Sequence, residues 1–180
     1  MCNYKTFKRI IIDDGDNFFS DNQIAIYIPR LNTLAIDSNL LNDSITVDML
    51  VLIILHEYLH MASFDNKTKV IGYENEALPV TFNEACTQFL ALKLVKDYGI
   101  KIENFMYVDS VDLLCKLILD IGEEVLFSDF FKADVKSMMV KLSSKRKLFI
   151  DYMLKFSNLL EEKYSLEGID NFNNITNKMQ

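Results

Sequence analysis

Met49-Leu50-Val51-Leu52-Ile53-Ile54-Leu55-His56-Glu57-Tyr58-Leu59-His60, residues 49–60, decides how the rest of the chain is read. The apolar half of this run stops well short of the about 20 residues a membrane span requires, and it is bounded by Asp48 on one side and His56-Glu57 on the other. A buried helix is the expected conformation. The run ends in the chain's only two histidines, four residues apart. On a helix, positions i and i+4 share a face one turn apart, so both imidazoles can turn a ring nitrogen to one Zn2+. Glu57 between them is placed to take a proton from a water held by that ion. The plainer alternative is a pair of core or surface histidines with Glu57 as a solvated charge. Rings buried by the apolar flank would then lack polar partners, which is costly, whereas a metal satisfies them.

A catalytic zinc takes three protein ligands and keeps one position open. The metzincin pattern needs a Gly and a His downstream, where this chain has Ser63 and Asn66, and no cysteine between Cys2 and the motif offers a thiolate. Asp65 is too close to turn back onto the same metal face. Glu84, in Thr81-Phe82-Asn83-Glu84-Ala85, has room for a loop and the start of a returning helix before it. Thr81-x-x-Glu84 also spells a capping box, in which the glutamate would only hold the N-cap amide. Cys86 falls on the opposite helix face from Glu84 and reads as core.

His56-Glu57-x-x-His60 followed by Asn83-Glu84 resembles the gluzincins, zinc metallopeptidases with a Glu ligand on the helix after the motif. The resemblance implies His56, His60 and Glu84 as zinc ligands, Glu57 as general base and Asn83 as the partner in the N-E pair. Gln88 falls where many gluzincins carry an acidic residue that orients a histidine ligand; an amide there departs from the pattern. Asn83-Glu84-Ala85-x-Thr87-x-x-Leu90-Ala91 looks like small bacterial zincin-like proteins, and the likeness covers roughly residues 45–130. It implies a zinc-dependent metalloendopeptidase acting on a peptide or protein substrate. The oxyanion it generates needs a further donor. Tyr107, just ahead of the third helix, is the first choice; Tyr73 is the second, and Tyr58 is expected to pack. The strand over residues 33–37 is expected to be the edge that aligns substrate by backbone hydrogen bonds.

Two rivals stand beside this. An ImmA/IrrE-like regulatory protease, cleaving a repressor, shares the motif and an E-A helix, but its apolar-plus-Pro ending is missing where Leu94-Val95 continue to Lys96-Asp97-Tyr98. An alanyl-aminopeptidase type should carry G-x-M-E-N before the motif, whereas Gly72-Tyr73-Glu74-Asn75 follows it. The other class is a non-catalytic zincin-fold module whose acidic helical half binds a protein.

Around the motif the pattern is α+β: a small antiparallel N-terminal sheet followed by a mainly helical zincin-like domain. β-rich runs cover residues 7–12, 24–28 and 33–37, with Pro29-Arg30-Leu31-Asn32 as a hairpin link. Asn42, Asp43 and Ser44 are N-cap candidates for the motif helix, which runs to about Phe64. A loop over 65–79 precedes a helix from Thr81 or nearby to Lys96, with Gly99 past its end. Further helices are expected over 109–121, stopped by Gly122, over 129–142, and over 144–164. One domain spans 1–168, β-rich over 1–42 and helical over 43–168, and 169–180 is a frayed tail.

The 180 residues, 50% hydrophobic and 25% charged, suit a folded globular chain. Nineteen Lys+Arg against 26 Asp+Glu leave a net charge of −7, the wrong sign for neutralising phosphates, so nucleic acid is not an expected partner. Three cysteines, Cys2, Cys86 and Cys115, encode no disulfide framework. The short patch Ile10-Ile11-Ile12 is no secretory h-region, so the expected location is cytoplasmic with no membrane span.

Overall fold

The computed structural model describes residues 5–13, 19, 23–39, 45–74, 77–102 and 105–159. Thr33, Leu34, Ala35 and Ile36 are all buried, and a short strand buried on both faces belongs in the middle of a sheet. That strand, β3 (Thr33–Asp37), lies between β1 (Arg9–Asp13) and β2 (Ala25–Ile28). β2 and β3 form the expected hairpin, turning through Pro29 to Asn32, where Asn32 takes the left-handed conformation at φ +49°.

Two expectations fail here. β1 pairs with β3 in parallel, Arg9 opposite Thr33 and Asp13 opposite Asp37, so the sheet is mixed and not antiparallel. Short apolar runs mark strands without fixing their direction. And β3 is central, not an edge; the edge strand that packs on the motif helix is β2.

The motif helix α1 (Val47–Ser63) starts at Thr46, whose hydroxyl oxygen accepts from the Met49 amide at 3.2 Å. Thr46 is the N-cap; Asn42, Asp43 and Ser44 lie outside the described residues. At the other end Lys5 Nζ donates to the carbonyls of Ala62 and Phe64 at 2.8 and 2.7 Å. A cation there complements both the unsatisfied carbonyls and the negative end of the helix dipole.

α2 (Val80–Asp97) begins after Pro79, which sits at the N-cap with extended backbone and no side-chain cap. This removes the capping-box reading of Thr81 and Glu84. Thr81 lies inside the first turn and donates its hydroxyl to the Phe156 carbonyl at 2.7 Å. Gly99 follows the helix at φ +71°, as expected of a glycine past a helix end. Phe82, Ala85, Cys86 and Phe89 are fully buried, which makes α2 the central helix, packed against α1 and its other neighbours.

α3 (Val108–Ile121) ends at Gly122, φ +94°. A short helix the sequence did not announce, α4 (Glu123–Phe127), follows, and the single helix expected over 129–142 is instead a 3-10 turn (Phe130–Lys132) and α5 (Val135–Lys141). Ala133 breaks the path in the left-handed region at φ +52°, and Asp134 restarts it by accepting from the Ser137 amide. α6 (Arg146–Ser157) packs on α2 and α3. It ends at Ser157 with Asn158 as its C-cap, short of the 164 expected, and residues 160–180, with the expected tail, lie outside the described residues. Among the described residues no helix is long and apolar enough to cross a membrane.

Candidate metal centre

α1 supplies both histidines and α2 supplies Glu84, because the loop between them folds back through a bridge from Phe64 to Ile71. Gly72 then takes φ +52°, with no room for a Cβ: one would lie 2.6 Å from Asn83 Oδ1 and 2.7 Å from the Phe130 ring. Asn83 Oδ1 accepts from the Tyr73 amide at 2.8 Å. The loop therefore grips the start of α2 one residue before Glu84.

His56 Nε2, His60 Nε2 and Glu84 Oε2 converge. The separations are 3.0 Å between the two nitrogens, 3.1 Å from His56 to Glu84 and 3.4 Å from His60 to Glu84. Both histidines are buried and Glu84 nearly so. Gln88, one turn beyond Glu84, brings its Oε1 to 2.7 Å from His56 Nδ1. With a carbonyl as acceptor, Nδ1 carries the proton, and the bare Nε2 lone pair faces the Glu84 oxygen. Two acceptors that close repel unless a proton or cation lies between them.

The electrostatics say the same. Burial works against a charge on His60, but Glu84, with Glu57 and Glu74 behind it, more than reverses this and pushes its pKa up to about 9. For Glu84, burial favours the neutral form, yet His60 and His56 hold its carboxyl far below the usual carboxylate range. Without an ion, the cluster retains a proton where a cation would sit. His56, His60 and Glu84 are the one group of this kind among the described residues that could hold a metal ion.

The chain matches no family model, no curated protein and no solved structure. Likeness to the gluzincins thus rests on the motif residues.

Glu57 is buried beside the histidines, and its Oε2 accepts from the Tyr27 amide of β2 at 2.6 Å. This contact was not legible in the sequence, because a backbone amide leaves no mark in residue type. Tyr107 caps α3 from the left-handed region, φ +60°, and its ring stacks on His56 at 5.8 Å and 14°. Tyr107, Glu57, the three convergent residues, Asn83 and Gln88 all line one cavity of about 580 Å³. Tyr73 does not reach it: the ring is fully buried against Phe82 and Phe130 and its hydroxyl donates to the Leu126 carbonyl. It is a core residue, too far into the helical half to assist at the site. Tyr58 packs against Phe7 and donates to the Lys5 carbonyl at 3.3 Å. Cys86 is fully buried, with its thiol pKa pushed up by burial and by Glu84. Asp65 is spent on the turn that follows α1, accepting from Lys67 and Thr68.

Proposed function

We propose that the chain is a zinc-dependent metalloendopeptidase in which His56, His60 and Glu84 hold the ion and Glu57 is the general base. The observation that carries this reading is the triangle of ligand atoms at 3.0, 3.1 and 3.4 Å with Glu57 on the same cavity wall. A tetrahedral Zn2+ with bonds of 2.0–2.1 Å separates its ligands by about 3.3–3.4 Å, so the donor set and spacing fit. Bound zinc supplies charge that polarises a carbonyl and makes water acidic.

The remaining work falls to the chain's own groups. Gln88 fixes the His56 ring so that Nε2 faces the ion, as outer partners of histidine ligands do. The Tyr27 amide holds one oxygen of Glu57, leaving Oε1 to accept the proton of the attacking water and return it to the leaving amine. Tyr107 carries a phenol at the cavity wall and is the donor assigned to the developing oxyanion. The outer edge of β2, in place of β3, receives an extended peptide by backbone hydrogen bonds.

Wild type and Glu57→Gln, loaded to equal zinc content, are compared on casein and on a mixed peptide library. The variant should keep its zinc and lose about 100- to 10,000-fold in rate, the range for a general base. Undiminished hydrolysis removes Glu57 from the mechanism, and an inert zinc-loaded wild type overturns the peptidase reading.

A further inference from the structure

The cavity extends well beyond the groups that handle the reacting bond. Met49, Leu52 and Ile53 line it on the N-terminal side of His56 and share its helix face, and Ile24, Ile26 and Met106 complete an apolar wall. The charges are equally one-sided. Glu57, Glu74 and Glu84 line the cavity, with no Lys or Arg among the described lining residues. Two of these carboxylates balance a divalent ion. Glu74 is exposed and, among the described residues, forms no ion pair with Lys or Arg; in the metal-free cluster its charge acts on His60, and once His60 ligates an ion it is left to a ligand.

We infer that the site selects cationic, apolar peptides, burying a bulky apolar side chain against Met49, Leu52 and Ile53 and setting a Lys, Arg or α-ammonium group near Glu74. This rests on the peptidase reading above and names its substrate class. The volume, about 580 Å³, lies within the roughly 300–1,000 Å³ of pockets that enclose several residues' worth of ligand. Apolar area removed from water provides most of the affinity, and the flexible thioethers of Met49 and Met106 let one wall accept Leu, Phe or Met alike. Glu74, facing solvent, adds a smaller attraction that salt screens.

Four peptide pools test this, alike except that one fixed position is Leu or Ser and another is Lys or Glu. Binding of fluorescein-labelled pools to zinc-loaded Glu57→Asp, which keeps the site's charge but draws the carboxylate back, is followed by anisotropy, and hydrolysis by zinc-loaded wild type is followed in parallel. Ser for Leu should weaken binding about tenfold or more. Glu for Lys should weaken it about twofold to fivefold, the scale of one exposed charge pair, and the difference should vanish at about 0.5 M salt. Adding Glu74→Gln should abolish the charge preference, and Glu74→Lys should reverse it. Met106→Ser, at a half-buried wall position packed against the core, should reduce the preference for Leu and leave the charge preference unchanged. Equal binding of the four pools, a preference for Glu, or a charge preference indifferent to Glu74 overturns the inference. If the zinc-loaded wild type cleaves nothing while these binding preferences appear, the peptidase reading fails and the recognition stands.

Discussion

Glu84 is where one residue separates two chemistries. Read from the sequence it is either a metal ligand or half of a capping box, and the structure removes the second, since Pro79 is the N-cap and Thr81 donates to Phe156. Glu84→Gln keeps size and hydrogen bonding but gives up the anionic oxygen that balances an ion. Zinc affinity, measured by competition with a chelator, should fall about 100-fold or more, beyond the range of outer-partner losses. Affinity unchanged in this variant would return the third ligand to open question. Legibility at this scale followed residue type. The histidines, Glu57, Glu84 and Gln88 carry their chemistry in their side chains and spacing, and the cavity collects all of them. Tyr73 misled because a tyrosine in a loop looks the same whether its ring faces a site or, as here, a core.

The loop between α1 and α2 matters as much as the helices it joins. Gly72→Ala would place a methyl group against Asn83 and Phe130 in a left-handed backbone conformation. Strain and overpacking together should cost about 2–4 kcal/mol, read as a lower urea midpoint. Because Asn83 precedes Glu84, zinc affinity should fall as well; a stable variant with full affinity would show that the loop does not position the ligand. Elements with strong periodicity and clear stops were legible: α1, α2 and α3 follow their apolar faces, and Gly99 and Gly122 mark their ends. Pairing direction was not, since β1 adds to β3 in parallel through contacts that neither strand's composition encodes. Nor was the break at Ala133, where an ordinary helix former adopts φ +52° because the path must bend between α4 and α5.

Across the whole molecule, the site is assembled from two helices and a sheet edge, so its charge state couples to folding. Protonated His60 stabilises the metal-free fold fully below its ordinary pKa of 6.5, and this contribution disappears as pH rises through about 9. Glu84, held below its ordinary 4.5, contributes above that value and loses the contribution as pH falls. With chelator present, the melting temperature should therefore peak between these two ordinary values and decline towards pH 9.5. Added zinc should raise it most at the alkaline end, where no proton competes. A flat alkaline limb in the metal-free protein would place His60 in a different environment. The Tyr27 amide adds a slower measure of the same architecture. On the outer edge of a strand, a backbone hydrogen normally meets water and exchanges freely. This one is engaged by Glu57, so its lifetime against solvent is set by how long the carboxylate stays in place. The strand thus carries a clock for the carboxylate, one that runs faster the more often Glu57 lets go of the amide.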